Sequence, residues 1–141
     1  MSRAAALEMR NVVKEYPGFP PVRALDNVSV RIDHRELIAV VGPSGSGKST
    51  LLNVMGTLDR PTSGVVSIDG NDTATLSDKQ VAGVRARRIG FVFQQFFLLD
   101  GMSAIDNVAN GLIYQGVGLN ERRERSAETL KRVGLGHRLT H

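Results

Sequence analysis

Apolar and polar positions sort the first part of the chain into short strands. Residues Leu7 to Tyr16 read as a strand with imperfect alternation. Val28, Val30 and Ile32 alternate with Ser29 and Arg31, the pattern of a half-buried strand. Between them, Pro17-Gly18-Phe19-Pro20-Pro21 suits neither a helix nor an inner strand and reads as a loop. Leu37-Ile38-Ala39-Val40-Val41 is a continuous apolar run ahead of a glycine-rich loop, the look of a strand buried on both faces of a parallel sheet. Val65 to Ile68 is bounded by Gly64 and Asp69-Gly70, and Ile89 to Phe93 is a further apolar strand.

Helical signals take over between and after these. Lys48 to Met55 predicts a helix ending near Gly56. Ser77 with Gln80 predicts a capping box that opens a helix towards Arg88, which Gly83 weakens. Ser103 and Asp106 mark another start, followed by Ile105, Val108, Ala109, Leu112 and Ile113 on one helical face. Asn120 predicts the cap of a third, highly charged helix with a thin stripe of Ala127, Leu130 and Val133, ended by Gly134. Gly134 to His141 carries no terminating signal and reads as entry into a loop.

Composition narrows the class. The 141 residues suffice for one domain with a core, and 41% hydrophobic with 23% charged residues is ordinary for a globular chain. A formal net charge of +4 suits an anionic partner and equally a solvated basic surface. There is no cysteine, hence no disulfide framework or thiolate metal site, and the three histidines are scattered. No apolar run approaches the ~18 residues of a membrane span, and no signal-peptide pattern opens the chain.

Gly42-Pro43-Ser44-Gly45-Ser46-Gly47-Lys48-Ser49 matches G-x-x-x-x-G-K-[ST]. Its glycines let successive backbone N–H groups converge on one anion, and the following helix adds its positive end. Lys48 would reach the β- and γ-phosphates, and Ser49 would offer a hydroxyl to Mg²⁺. Such a string arises by chance in about one chain of this length in 200 at average composition. A ligand-free glycine turn is the plain alternative, and the strand-like and helix-like flanks speak against it. Regulatory GTPases pair this loop with D-x-x-G and N-K-x-D; Asp100-Gly101-Met102-Ser103 fails the first and the second is absent. Phe96-Phe97-Leu98-Leu99-Asp100 imitates a Walker B strand, but Gly101 stands where an ATPase would carry its glutamate.

From Leu7 onward the chain resembles the nucleotide-binding domains of ABC transporters, most closely those serving lipoprotein-releasing and macrolide-exporting permeases. Gly42 to Arg60 with Pro61-Thr62-Ser63-Gly64 carries the resemblance. A second block, Ile89-Gly90-Phe91-Val92-Phe93-Gln94, is followed by Phe97-Leu98-Leu99 and Asp106-Asn107-Val108. The resemblance implies an α/β fold: a P-loop NTPase (RecA-like) core, an N-terminal antiparallel β subdomain and the start of an α-helical subdomain. It divides residues 1–141 at about 94/95. It implies ATP and Mg²⁺ as ligands, held by Tyr16 stacking on adenine, by Gly42, Pro43, Ser44, Gly45, Ser46, Gly47, Lys48, Ser49 and Thr50, and by Gln94 as the Q-loop glutamine. Ser49 and Gln94 are the implied Mg²⁺ ligands. For Tyr16, packing of a strand-end ring on the core is the competing reading.

The same resemblance implies a transmembrane permease and a second ATP-binding domain in head-to-tail contact as partners, at the cytoplasmic face of the plasma membrane, with no nucleic acid. It also locates absences. The signature motif is expected roughly where the sequence ends, and the Walker B aspartate, catalytic glutamate and switch histidine later still, so the chain is expected to be truncated and inactive alone. Arg35 stands where the family has glycine, which puts a glycine-type turn there in question. A non-transport ATPase working on DNA or the ribosome is the alternative that Arg85, Arg87, Arg88, Arg122, Arg123 and Arg125 allow, and a nucleotide-binding remnant is another. Glu121 and Glu124, interleaved with the last three arginines, favour a solvated helix face.

Overall fold

A computed structural model describes residues 4–141. The chain divides into two compact units, one ending at Arg85 and the other running from Ala86 to His141.

The first unit is built on an antiparallel sheet. Strand β1 (Leu7–Tyr16) pairs on one side with β2 (Val22–Ile32) and on the other with β3 (Ser63–Ile68), which pairs with the short β4 (Asn71–Asp72). The pairing slips between Met9 and Val12, where Asn11 takes a positive φ of 48°. This bulge explains the imperfect alternation: an extra residue lets Met9 and Val12, three apart, both enter the core. Gly64 sits against it, where an added Cβ would lie 2.4 Å from the Asn11 carbonyl oxygen. Helix α1 (Lys48–Met55) lays Val54 onto the sheet, closing a core of Met9, Val12, Leu25, Val54 and Val66.

Helix α2 (Asp78–Arg88) begins with the expected capping box. The Gln80 N–H donates to Ser77 Oγ at 3.4 Å, and the Ser77 N–H donates back to Gln80 Oε1 at 2.9 Å. Gly83 does not break it. At the expected glycine turn, Arg35 does adopt the left-handed region, with φ of 67°, held by a Glu36 N–H bond to the Asp33 carbonyl.

The second unit contains α3 (Ala104–Asn110) and α4 (Leu119–Arg132). Ser103 caps α3, accepting from the Asp106 N–H. The apolar face expected to run to Ile113 is interrupted: α3 stops at Asn110 beside Gly111, and a single 3-10 turn spans Ile113–Gln115. Helix α4 starts after Gly118 instead of at Asn120, and its core-facing side is Ser126 and Leu130, with Val133 exposed. Gly134 ends it as predicted, in a Schellman arrangement with N–H bonds from Leu135 to Leu130 and from Gly134 to Lys131. The residues beyond are not a free loop. The Leu139 and His141 carbonyls accept from the N–H groups of Ile105 and Ala104, satisfying the first turn of α3.

Two predicted strands do not form. Residues 37–41 and 89–93 are irregular, with Leu37 98% and Val92 103% exposed. A doubly buried parallel strand exists only between hydrogen-bonded neighbours and under covering helices, and no strand among the described residues flanks either run. The α/β character therefore rests on the antiparallel sheet and its helices.

Candidate nucleotide-binding site

The phosphate loop is shaped from its two ends. Gly47, at φ of 87°, caps α1, and a Cβ there would lie 2.5 Å from the Ala24 carbonyl oxygen of β2, so only glycine fits. No side chain caps the helix. The first backbone bond of α1 runs from the Leu51 N–H to the Gly47 carbonyl at 2.8 Å. The N–H groups of Lys48, Ser49 and Thr50 precede it and have no acceptor within the helix. Together with the helix dipole they make an anion-binding end.

Lys48 folds back over the loop. Its Nζ donates to the carbonyls of Gly42 at 2.9 Å and Pro43 at 2.6 Å. The ammonium is thus stationed above the loop on neutral carbonyl acceptors, and charged oxygens placed there would hold it more strongly.

Ser44 to Thr50 line an open hollow of about 870 Å³ whose other wall is Tyr16, Val22, Arg23 and Ala24. Its size is that of a ligand cleft. The structure therefore brings Tyr16 and the phosphate loop to one place. Tyr16 is half-buried at the end of β1. Its hydroxyl donates to Asp59 Oδ2 at 2.9 Å, and the Lys14 ammonium lies 4.8 Å from its ring centroid. Lys14 also donates to Asp59 Oδ1 at 2.6 Å. That hydrogen bond, helped by Tyr16 and opposed by partial burial, holds the Asp59 carboxyl below the usual carboxylate range. Asp59 gave no signal in the sequence, because its partners are 43 and 45 positions away. Lys14 did give one: two residues before Tyr16 on a strand, it shares that residue's face of the sheet.

Gln94 lies in the second unit, exposed, in a bend that follows residues 89–93. Nearby, Phe91 stacks on Phe93 and Phe93 meets Phe97 edge to face, each at 5.3 Å between centroids. Phe96 to Leu99 form no strand and stay more than half exposed. Asn107 fixes the far end of this segment. Its Oδ1 accepts from the Leu99 N–H at 2.8 Å, and its Nδ2 donates to the Met102 carbonyl at 3.1 Å. The sequence marked Asn107 only as part of a block shared with the family and gave no sign of these contacts.

Magnesium at such a site takes few protein ligands and relies on phosphate oxygens. No group of three His, Asp or Glu residues suited to a metal occurs among the described residues, whereas Ser49 carries a hydroxyl on the wall of the hollow. The second arginine cluster is largely neutralised locally: Arg125 pairs with Glu121, and Arg123 with Asp106 at 3.2 Å. Among the described residues no helix is long and apolar enough to cross a membrane.

Comparison with known proteins agrees with the geometry. The family model described as ABC transporter matches residues 25–141. An uncharacterized ABC transporter ATP-binding protein of Bacillus subtilis, YknY, is 46% identical over 96% of this chain, which spans 59% of its length. The macrolide export ATP-binding/permease protein MacB of Hyphomonas neptunium is 45% identical over 96% of the chain, here spanning only 21% of the relative. Among solved structures, the dimeric ATP-binding cassette MJ0796 bound to ADP and Pi superposes with a TM-score of 0.85 at 41% identity. That match covers 96% of this chain and 60% of the cassette. A phosphate loop whose end is seated against β2 and opens α1, a family match over most of the sequence and a solved cassette of the same fold converge: the chain belongs to the ABC transporter family, as part of its ATP-binding domain.

Proposed function

We propose that this chain is the nucleotide-binding portion of an ATP-binding subunit that couples ATP binding and hydrolysis to transport by a membrane permease. The observation that carries this is the hollow shared by Tyr16, Lys48 and the unbonded N–H groups at the start of α1. The adenine stacks on Tyr16, the phosphates sit in Gly42 to Thr50, and Lys48 moves from the Gly42 and Pro43 carbonyls to the β- and γ-phosphates. Ser49 and Gln94 are the Mg²⁺ ligands of this reading; the ion would neutralise phosphate charge during transfer to water. Gln94 begins the passage from the β and phosphate-loop part, to about residue 94, into the helical part.

Hydrolysis belongs to a complete head-to-tail pair of domains, in which a second ATP-binding domain supplies the signature motif. The cassette dimer bound to ADP and Pi and the ATP-binding/permease name of MacB support both partners by similarity. These 141 residues contain no signature motif, so steady phosphate release from them that Lys48→Ala abolishes would contradict this reading. The working location is the cytoplasmic face of the plasma membrane, against the permease. The exposed run Phe96 to Leu99, held by Asn107 and next to Gln94, is the proposed contact. Single cysteines at Phe97 and Met102 on this cysteine-free background test it in the assembled transporter. Crosslinks to a cytoplasmic permease loop are expected; capture only from distant surface positions would move the contact elsewhere. Nucleotide binding itself is tested by titration calorimetry, where Lys48→Ala is expected to weaken Mg-ATP about 10-fold or more through lost charge-assisted bonds, and equal affinities would refute it.

A further inference from the structure

We propose that Asp59 is a positioning residue for nucleotide binding: with Lys14 it clamps the Tyr16 ring on the wall of the hollow, one face covered and the other offered to a base. This rests on the reading that Tyr16 stacks on the nucleobase.

Tyr16 is the last residue of β1, and a glycine- and proline-rich loop follows it. The ring is half-buried there. Three contacts fix it here. Asp59 Oδ2 accepts from the hydroxyl at 2.9 Å, Asp59 Oδ1 takes the Lys14 ammonium at 2.6 Å, and that ammonium lies 4.8 Å from the ring centroid. Lys14 is itself anchored by a 2.8 Å bond to the Arg60 carbonyl and has only 12% of its side chain exposed. Both carboxylate bonds are charge-assisted, which makes the clamp stiffer than a neutral one. The cation over one ring face leaves the opposite face for a base.

The clamp also has a fixed relation to the phosphates. The N–H groups of Leu58 and Asp59 donate to the Asn53 carbonyl in α1 at 2.8 and 3.2 Å. One helix therefore carries the phosphate loop at its start and the carboxylate that orients the ring at its end. A base and a triphosphate bound together would be spaced by this rod. Inorganic tripolyphosphate would use only its first end.

The experiment is a double-mutant cycle on the 141-residue chain, with equilibrium binding of Mg-ATP and of inorganic tripolyphosphate. Base–aromatic stacking of about 1–3 kcal/mol corresponds to roughly 5- to 150-fold in affinity, the loss expected for ATP in Tyr16→Ala. Asp59→Ala is expected to lose about 3- to 10-fold for ATP, and the double variant no more than Tyr16→Ala alone, since the clamp acts only through the ring. Tripolyphosphate should bind all of them equally, which also reports that the fold is intact. Lys14→Met, which keeps the Asp59–Tyr16 bond and uncovers the ring, should lose a smaller factor for ATP alone. Wild-type ATP affinity in Asp59→Ala beside a weakened Tyr16→Ala, additive losses in the double variant, or equal losses for both ligands would overturn the clamp while leaving stacking in place. No loss in Tyr16→Ala would overturn the stacking reading and the clamp together.

Discussion

Strand β2 and the run Leu37 to Val41 lie a few residues apart, and the second is the more apolar, yet only β2 is a strand. β2 pairs along its length with β1, from Leu7 opposite Ile32 to Tyr16 opposite Val22, across a loop of a few residues. Antiparallel neighbours joined by a short loop find each other locally and need cover on one face only. Residues 37–41 have the composition of a parallel strand, whose partners come through long crossovers. Apolar content states where a segment ends up when its neighbours are present, while pairing decides whether it is a strand.

The sharpest break of that comparison pits Val12 against Leu37. Val12 is fully buried, so Val12→Asp places an unpaired carboxylate in the core and should cost more than about 4 kcal/mol, unfolding the first unit. Leu37→Asp should change stability by less than about 0.5 kcal/mol. Urea unfolding followed by circular dichroism compares them; a large cost at Leu37 would mean that the run is packed. Gly47→Ala comes next. The clash with Ala24 and the positive φ should cost about 1–3 kcal/mol and remove ATP binding, read by the same unfolding curves and by calorimetry.

Arg35→Gly should act in the other direction. It relieves a left-handed arginine in the turn between β2 and residues 37–41, with a gain of up to about 1–2 kcal/mol in the same unfolding assay. The smallest effect is that of pH on Asp59. Its carboxyl is held below the ordinary range in the folded state, chiefly by Lys14, so its contribution is present above the unfolded value of about 4. It is lost as pH falls through the lowered folded value. Asp59→Asn should therefore flatten the acid limb of a stability–pH profile and leave its alkaline side unchanged in shape.

What could be read from the sequence was local. The capping box of Ser77 and Gln80, the Ser103 cap and the Gly134 stop each depend on residues within about one turn of each other, and each is in place. What could not be read depended on distance or on neighbours. The bulge at Asn11 blurred the period of β1, and the α4 start moved to Leu119 because Gly118 already supplies an extended cap. Asp59 and Asn107 act on backbone or side chains that sequence spacing does not connect to them. The strands at 37–41 and 89–93 were inferred from apolarity alone, which specifies burial but supplies no partner.

Amide hydrogen exchange, residue by residue, with and without Mg-ATP, tests the central claim most directly. ATP should slow exchange at Ser44 to Thr50, where N–H groups that lack helical acceptors gain phosphate oxygens. It should leave residues 37–41 exchanging fast compared with the paired amides of β1 and β2. Unchanged exchange at Ser44 to Thr50 under saturating Mg-ATP, or protection confined to other segments, would contradict nucleotide binding through this loop.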